Sequence, residues 1–175
     1  MSDLSYPIGK FVAPAVYTSE TRAEAIQQFK DAPALVRRAV AGLDVRQLLT
    51  PYREGGWTVA QVVHHLADAH VNGYVRTKWI LTEDRPAVKL YENVKWAAMP
   101  DATTSEIEGS LGILDTIQAR WAQTLEDLTA DDFAREFIHP VRGPLTLDWN
   151  VALYAWHGSH HIAHITSLRA REGWR

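Results

Sequence analysis

Apolar residues recur at three- and four-residue steps in four long stretches of the chain, the spacing that gathers side chains on one face of an α-helix. The first covers about 19–43, with Ala23, Ile26, Phe29, Leu35, Val36 and Val40 on the repeating face. Within it Pro33 predicts an early turn or a kink, and Gly42 marks the end. The second begins after Gly55 and Gly56, where Thr58 reads as an N-cap and Gln61, three residues on, completes a capping box. Val59, Val62, Val63 and Leu66 carry its stripe on to about residue 81. A third stretch, about 105–128, sets Leu111, Leu114, Ile117, Trp121 and Leu125 on one face and charges on the other. The fourth opens near Thr146 or Asp148 and runs to about 171, bounded by Pro140, Gly143 and Pro144 upstream and Gly173 downstream.

Stripes of this kind must be buried against one another, so the expected fold is all-α: a four-helix bundle forming one domain over residues 1–175. The connection at 83–104, with Pro86 and Pro100, is long enough to cross the bundle from end to end, and a simple up-down-up-down order is not implied. No strands are expected beyond a short extended segment at 136–138.

A chain of 175 residues buries about two thirds of the surface its unfolded form exposes, and needs neither disulfide nor metal merely to fold. It contains no cysteine, which excludes a disulfide framework, a thiolate-ligated zinc site and a cysteine nucleophile. Histidine and carboxylate remain as metal ligands, and any thiol in its chemistry must come from outside. The formal charge of −3, without a basic cluster, argues against nucleic acid as a partner. The first residues lack a basic start and a long apolar core, and nowhere is there a run of about 18 apolar residues, so a cytoplasmic protein without a membrane partner is expected. Seven tryptophans and eight histidines are the unusual features.

With 100° per residue and His157 at zero, His161 falls at about 40° and His164 at about −20°, on the stripe of Leu153 and Leu168. Three imidazoles on a core face each cost a few kcal/mol unless their ring nitrogens find partners. A metal ion is one such partner, and hydrogen bonding within the core is the alternative. The i, i+4 pair His157 and His161 has the geometry that lets an HExxH helix hold zinc, but Gly158, Ser159 and His160 lie between and the catalytic glutamate is missing. A third ligand is needed. In the HH pair of the second helix, His65 lies at the border of the stripe and His64 points nearly away from it, so His65 is the better candidate. Asp68, Asn72, Arg76 and Trp79 follow on the flank of His65, readable either as pocket lining or as a solvated face. His164 is either a further ligand or an outer partner of one. His70 and His139 receive no role.

At these residues the chain resembles the DinB-like superfamily of metal-binding four-helix bundles, and within it the YfiT-type proteins, described as metal-dependent hydrolases and as bacillithiol transferases. The strings LSYPIG at 4–9, TPYREGGWTVAQVVHHLADAH at 50–70 and YAWHGSHHIAHIT at 154–166 carry the resemblance, which covers nearly the whole chain. It implies one divalent ion per subunit on His65, His157 and His161, an up-down-down-up bundle with a long crossover, and a homodimer. It leaves the substrate open, since relatives include thiol transferases and isomerases.

Three neutral imidazoles leave a divalent ion with open positions, as in catalytic zinc sites. Such an ion activates water for hydrolysis or a low-molecular-weight thiol for transfer to a small-molecule electrophile. Zinc or nickel is the expected metal, and Asp68 is the candidate base for the hydrolytic route. The competing expectation is a metal-binding stress or sensor module without turnover.

Overall fold

The structure, a computed structural model, describes residues 4–174. Helix α1 spans Ser19–Val40, the short α2 Val45–Leu48, α3 Val59–Thr82, the short α4 Asn93–Trp96, α5 Glu108–Glu126 and the short α6 Ala130–Phe133. Strands β1 (Glu136–His139) and β2 (Gly143–Thr146) follow, and α7 (Leu147–Glu172) ends the chain. Among the described residues no helix is long and apolar enough to cross a membrane.

Side-chain caps set the starts. The Thr58 side chain accepts from the Gln61 N–H while the Gln61 side chain accepts from the Thr58 N–H, so α3 begins where the sequence places it. Thr146 caps α7, and Gly173, with φ +66°, takes the left-handed conformation that closes it. Pro33 neither turns nor ends α1. It removes one helical donor, while buried Phe29, Ala32 and Val36 and the ion pairs of Lys30 with Glu126 and Arg37 with Asp115 hold both sides of it on the bundle.

Cross-helix contacts fix the directions. Arg22 meets Asp148 and Arg169 meets the Ala39 carbonyl, so α1 and α7 run parallel. His64 meets Ser110, His70 meets Gln118 and Lys78 meets Thr124, so α3 and α5 are parallel as well. Arg76 meets Tyr154 while His65 meets His157, which makes α3 and α7 antiparallel. The order is therefore up-down-down-up. Two consecutive parallel helices need a connection as long as themselves, and the crossover runs back along α3. Arg76 holds it at the Lys89 carbonyl, Gln61 at the Ala97 carbonyl and His64 at the Thr104 carbonyl. His64, which α-helical geometry directs away from the core stripe, is buried by this crossover and by Ser110.

A small antiparallel hairpin forms where only an extended segment is expected, with Glu136 opposite Thr146 and His139 opposite Gly143. The His139 ring nitrogen accepts from the N–H groups of Val141 and Arg142, and Gly143, at φ +75°, makes the turn. Buried Phe137 anchors the hairpin, and Ile138 pairs with the start of the crossover at Ala87. The core divides into two apolar clusters, one around Trp121, Phe29 and Tyr154 and the other around Val62, Leu66 and Leu168.

Candidate metal centre

His65 comes from α3, and His157 and His161 come from α7, one turn apart on the face that packs against α3. A ring nitrogen from each lies within 4.8 Å of those from the other two, and the Nε2 atoms of His65 and His157 are 3.1 Å apart. An ion with four tetrahedral ligands at about 2.1 Å holds its donors about 3.4 Å apart, so small ring adjustments suffice for this trio to share one. The donor set, three imidazoles without thiolate, suits zinc or nickel among other divalent ions.

Each ring is tied on its far side. The Nδ1 of His65 is 3.3 Å from the Tyr91 hydroxyl, that of His157 is 3.3 Å from Nε2 of His70, and that of His161 is 3.3 Å from Nδ1 of His164. Beyond these, Gln118 Nε2 lies 2.6 Å from His70 Nδ1, and the Ser5 carbonyl lies 3.2 Å from His164 Nε2. Trp57 packs on His65 at a centroid distance of 4.6 Å, and Trp156 stacks on His160 at 4.5 Å.

Burial keeps the imidazoles neutral. It pushes His65 down to about 3, with the neighbouring His70, His160 and His164 adding to the effect. His157 and His161 lie well below the ordinary imidazole range, burial again first and the surrounding histidines second. His70 falls to about 4 through burial, which the Gln118 hydrogen bond partly offsets. A neutral ring is the form that coordinates a metal.

The trio opens on a pocket of about 300 Å³ whose walls include Trp57, Tyr91, Asn93, Leu153, Tyr154, Trp156 and His160. Among the described residues no carboxylate lines it. Asp68 is half-buried outside this wall, its carboxyl raised above the usual range by burial and then by Asp101. Asn72 donates to the Asp68 carbonyl on its own helix. Arg76 is buried, and bonds Tyr154 Oη and the Lys89 carbonyl, each at 3.1 Å, so it approaches the pocket only through Tyr154. Trp79 is exposed. His164 lies behind His161 rather than in the wall, stacked on Tyr52 at 4.0 Å. A second cluster, His160, His161 and His164, also brings ring nitrogens within 4.8 Å, but both nitrogens of His164 already have partners.

His70, Gln118, Tyr91 and Trp57 have no role in the sequence reading. His70 could have been found there: at 100° per residue it lies nearer the Val62, Leu66 and Gly73 stripe than His65 does, and a polar ring beside a core face requires partners. Tyr91 sits on the crossover, whose path no periodicity reports.

An up-down-down-up helical bundle with three imidazoles converging between antiparallel α3 and α7 is the class of protein that fold and site define. The DinB superfamily pattern matches residues 28–165, and the chain belongs to that superfamily. A protein of Geobacillus thermodenitrificans named "Putative metal-dependent hydrolase" is 51% identical over 173 residues, covering 98% of this chain and 97% of its own. One of Bacillus mycoides with the same description is 47% identical over 174 residues, covering 99% of this chain and all of its own. Among solved structures, YfiT from Bacillus subtilis, described as "a probable metal-dependent hydrolase with an unusual four-helix bundle topology", superposes with a TM-score of 0.95 at 44% identity, over 98% of this chain and 99% of that one. The four-helix bundle protein TT2238 shares the fold at a TM-score of 0.57 and 21% identity, over 87% of this chain and 99% of its own.

Proposed function

We propose that this protein is a metal-dependent enzyme in which His65, His157 and His161 hold one divalent ion, zinc or nickel, at the floor of the pocket, where a nucleophile is activated toward a small-molecule substrate. One observation carries the reading: three neutral imidazoles, each tied at Nδ1, face an open pocket, and among the described residues no fourth protein ligand closes them off. A sensor or storage site would be expected to seal its ion. An ion bound there lowers the pKa of water or of a thiol and polarises an electrophile.

The chain's own residues bear on the choice of nucleophile. Among the described residues the pocket wall offers no carboxylate to take a proton from water, and the HExxH glutamate is missing from α7. A thiol, with a free pKa of about 8.5, needs little such help. The aromatic walls, Trp57, Tyr91 and Trp156, suit an apolar electrophile. Transfer of a low-molecular-weight thiol is therefore the first reading. Hydrolysis is the second, favoured by the descriptions of the relatives.

The test is metal analysis of protein purified without a histidine tag, followed by thiol-conjugation and hydrolysis assays with and without chelator. The expected result is one equivalent of divalent metal and a metal-dependent acceleration of conjugation. Metal-dependent hydrolysis with no conjugation of any thiol tried moves the second reading to first, and metal binding with neither activity leaves a binding module.

A further inference from the structure

Whether an imidazole can ligate through a given nitrogen depends on where its single proton sits, and hydrogen-bond partners decide that. Behind His161 the partners are unambiguous. The Ser5 carbonyl only accepts, so His164 Nε2, 3.2 Å away, carries the proton of that ring. His164 Nδ1 is then a bare acceptor, and the nitrogen 3.3 Å from it, Nδ1 of His161, must donate. The lone pair of His161 is left on Nε2.

Behind His157 stands a second chain of the same length. His157 Nδ1 meets His70 Nε2 at 3.3 Å, and His70 Nδ1 meets the Gln118 carboxamide at 2.6 Å. A carboxamide presents an N–H or, after a half-turn, a carbonyl, and Gln118 Oε1 is buried without another partner. With that carbonyl turned to His70, the proton of His70 lies on Nδ1, His70 Nε2 accepts, and His157 donates from Nδ1. His70 and Gln118 are each 1% exposed, so water does not supply a substitute partner.

We propose that Ser5 and His164 on one side, and Gln118 and His70 on the other, hold the protons of His161 and His157 on Nδ1 and reserve Nε2 for the ion, which makes His70, Gln118 and His164 positioning residues of the metal centre. This rests on the metal reading above. It also assigns the N-terminal segment a part in the site, since the proton on His161 is set by a backbone carbonyl from residue 5.

The experiment measures zinc affinity by competition with a chromophoric chelator, and reads proton positions on the imidazoles of 15N-labelled, zinc-stripped wild type from long-range 15N–1H spectra. His164→Phe keeps the ring stacked on Tyr52 but removes the relay, and Gln118→Met removes both ends of the carboxamide. Each should weaken zinc binding about ten- to a hundredfold. Gln118→Glu, which when ionised can only accept from His70, should bind at least as tightly as wild type at a pH that keeps the carboxylate charged, and that rescue separates positioning from packing. In the wild type the His161 proton should sit on Nδ1, and in His164→Phe it should not be confined there. A proton on Nε2 of wild-type His161, or wild-type affinity in both His164→Phe and Gln118→Met, overturns the proposal. Zinc affinity in the wild type that is indifferent to His157→Ala overturns the metal reading instead, and the wild-type spectra still decide the relay.

Discussion

Acid should destabilise this protein well before its carboxylates titrate. His65, His70 and His161 are 5%, 1% and 7% exposed, and burial depresses all three below the ordinary 6.5. A group whose folded pKa is depressed binds fewer protons folded than unfolded between the two values. For a histidine, stability is therefore retained above the unfolded pKa and lost as pH falls below it, down to the folded value. The window here runs from about 6.5 down to about 4 for His70 and about 3 for His65. Between pH 7 and pH 5 each such ring removes about 2 kcal/mol, and three together approach about 6 kcal/mol, against a usual total of about 5–15 kcal/mol. Rearrangement that lets water reach a ring would lessen the loss, while His157 and His160, which burial depresses as well, add to it. Urea unfolding of the zinc-stripped protein at half-unit steps, followed by circular dichroism at 222 nm, gives the stability at each pH. His70→Gln, which removes one titrating ring, should flatten the slope by about 1 kcal/mol per pH unit between pH 7 and pH 5. A midpoint unchanged from pH 7 to pH 5 would refute the reasoning, because it would mean that the imidazoles are solvated or charged in the folded protein.

Other outcomes follow from the same geometry. Loaded zinc should be released as pH falls through about 6 to 5, because protons compete for the ligand nitrogens; full occupancy at pH 4.5, measured by metal analysis after gel filtration, would point to carboxylate ligands. His157→Ala should abolish tight zinc binding while the helical circular dichroism survives, since the apolar clusters on either side of the site supply most of the folding energy. A Cβ on Gly73 would lie 2.4 Å from Trp121 and 2.7 Å from Tyr154, so Gly73→Ala should cost about 1–3 kcal/mol and lower the Tm by several degrees. Gly158→Ala meets nothing closer than 3.6 Å, and should hold or raise the Tm through its helix propensity.

The contrast between those two glycines shows where sequence reasoning stops. From the chain alone Gly158, beside the candidate ligand His157, looks like the place for a close helix approach. The tight contact is at Gly73, because which residue faces Trp121 depends on how α3, α5 and α7 are rotated against one another.

Features set by near neighbours along the chain could be read before any fold was known. Three- and four-residue periodicity located all four long helices, and Thr58, Gln61, Thr146 and Gly173 set ends that the structure keeps to within a residue or two. The i, i+4 spacing placed His157 and His161 on one face for the same reason, since helical geometry is local. Tertiary structure decided the rest. The crossover has no period of its own, and only its path along α3 buries His64, delivers Tyr91 to His65 and leaves Asp68 outside the pocket wall. The hairpin is held to the crossover where Ile138 pairs with Ala87, some fifty residues earlier in the chain. His70, the partner of His157, Gln118 behind it, and the Ser5 carbonyl behind His164 lie far from His157 and His161 in sequence, and only the folded bundle brings them within hydrogen-bond reach.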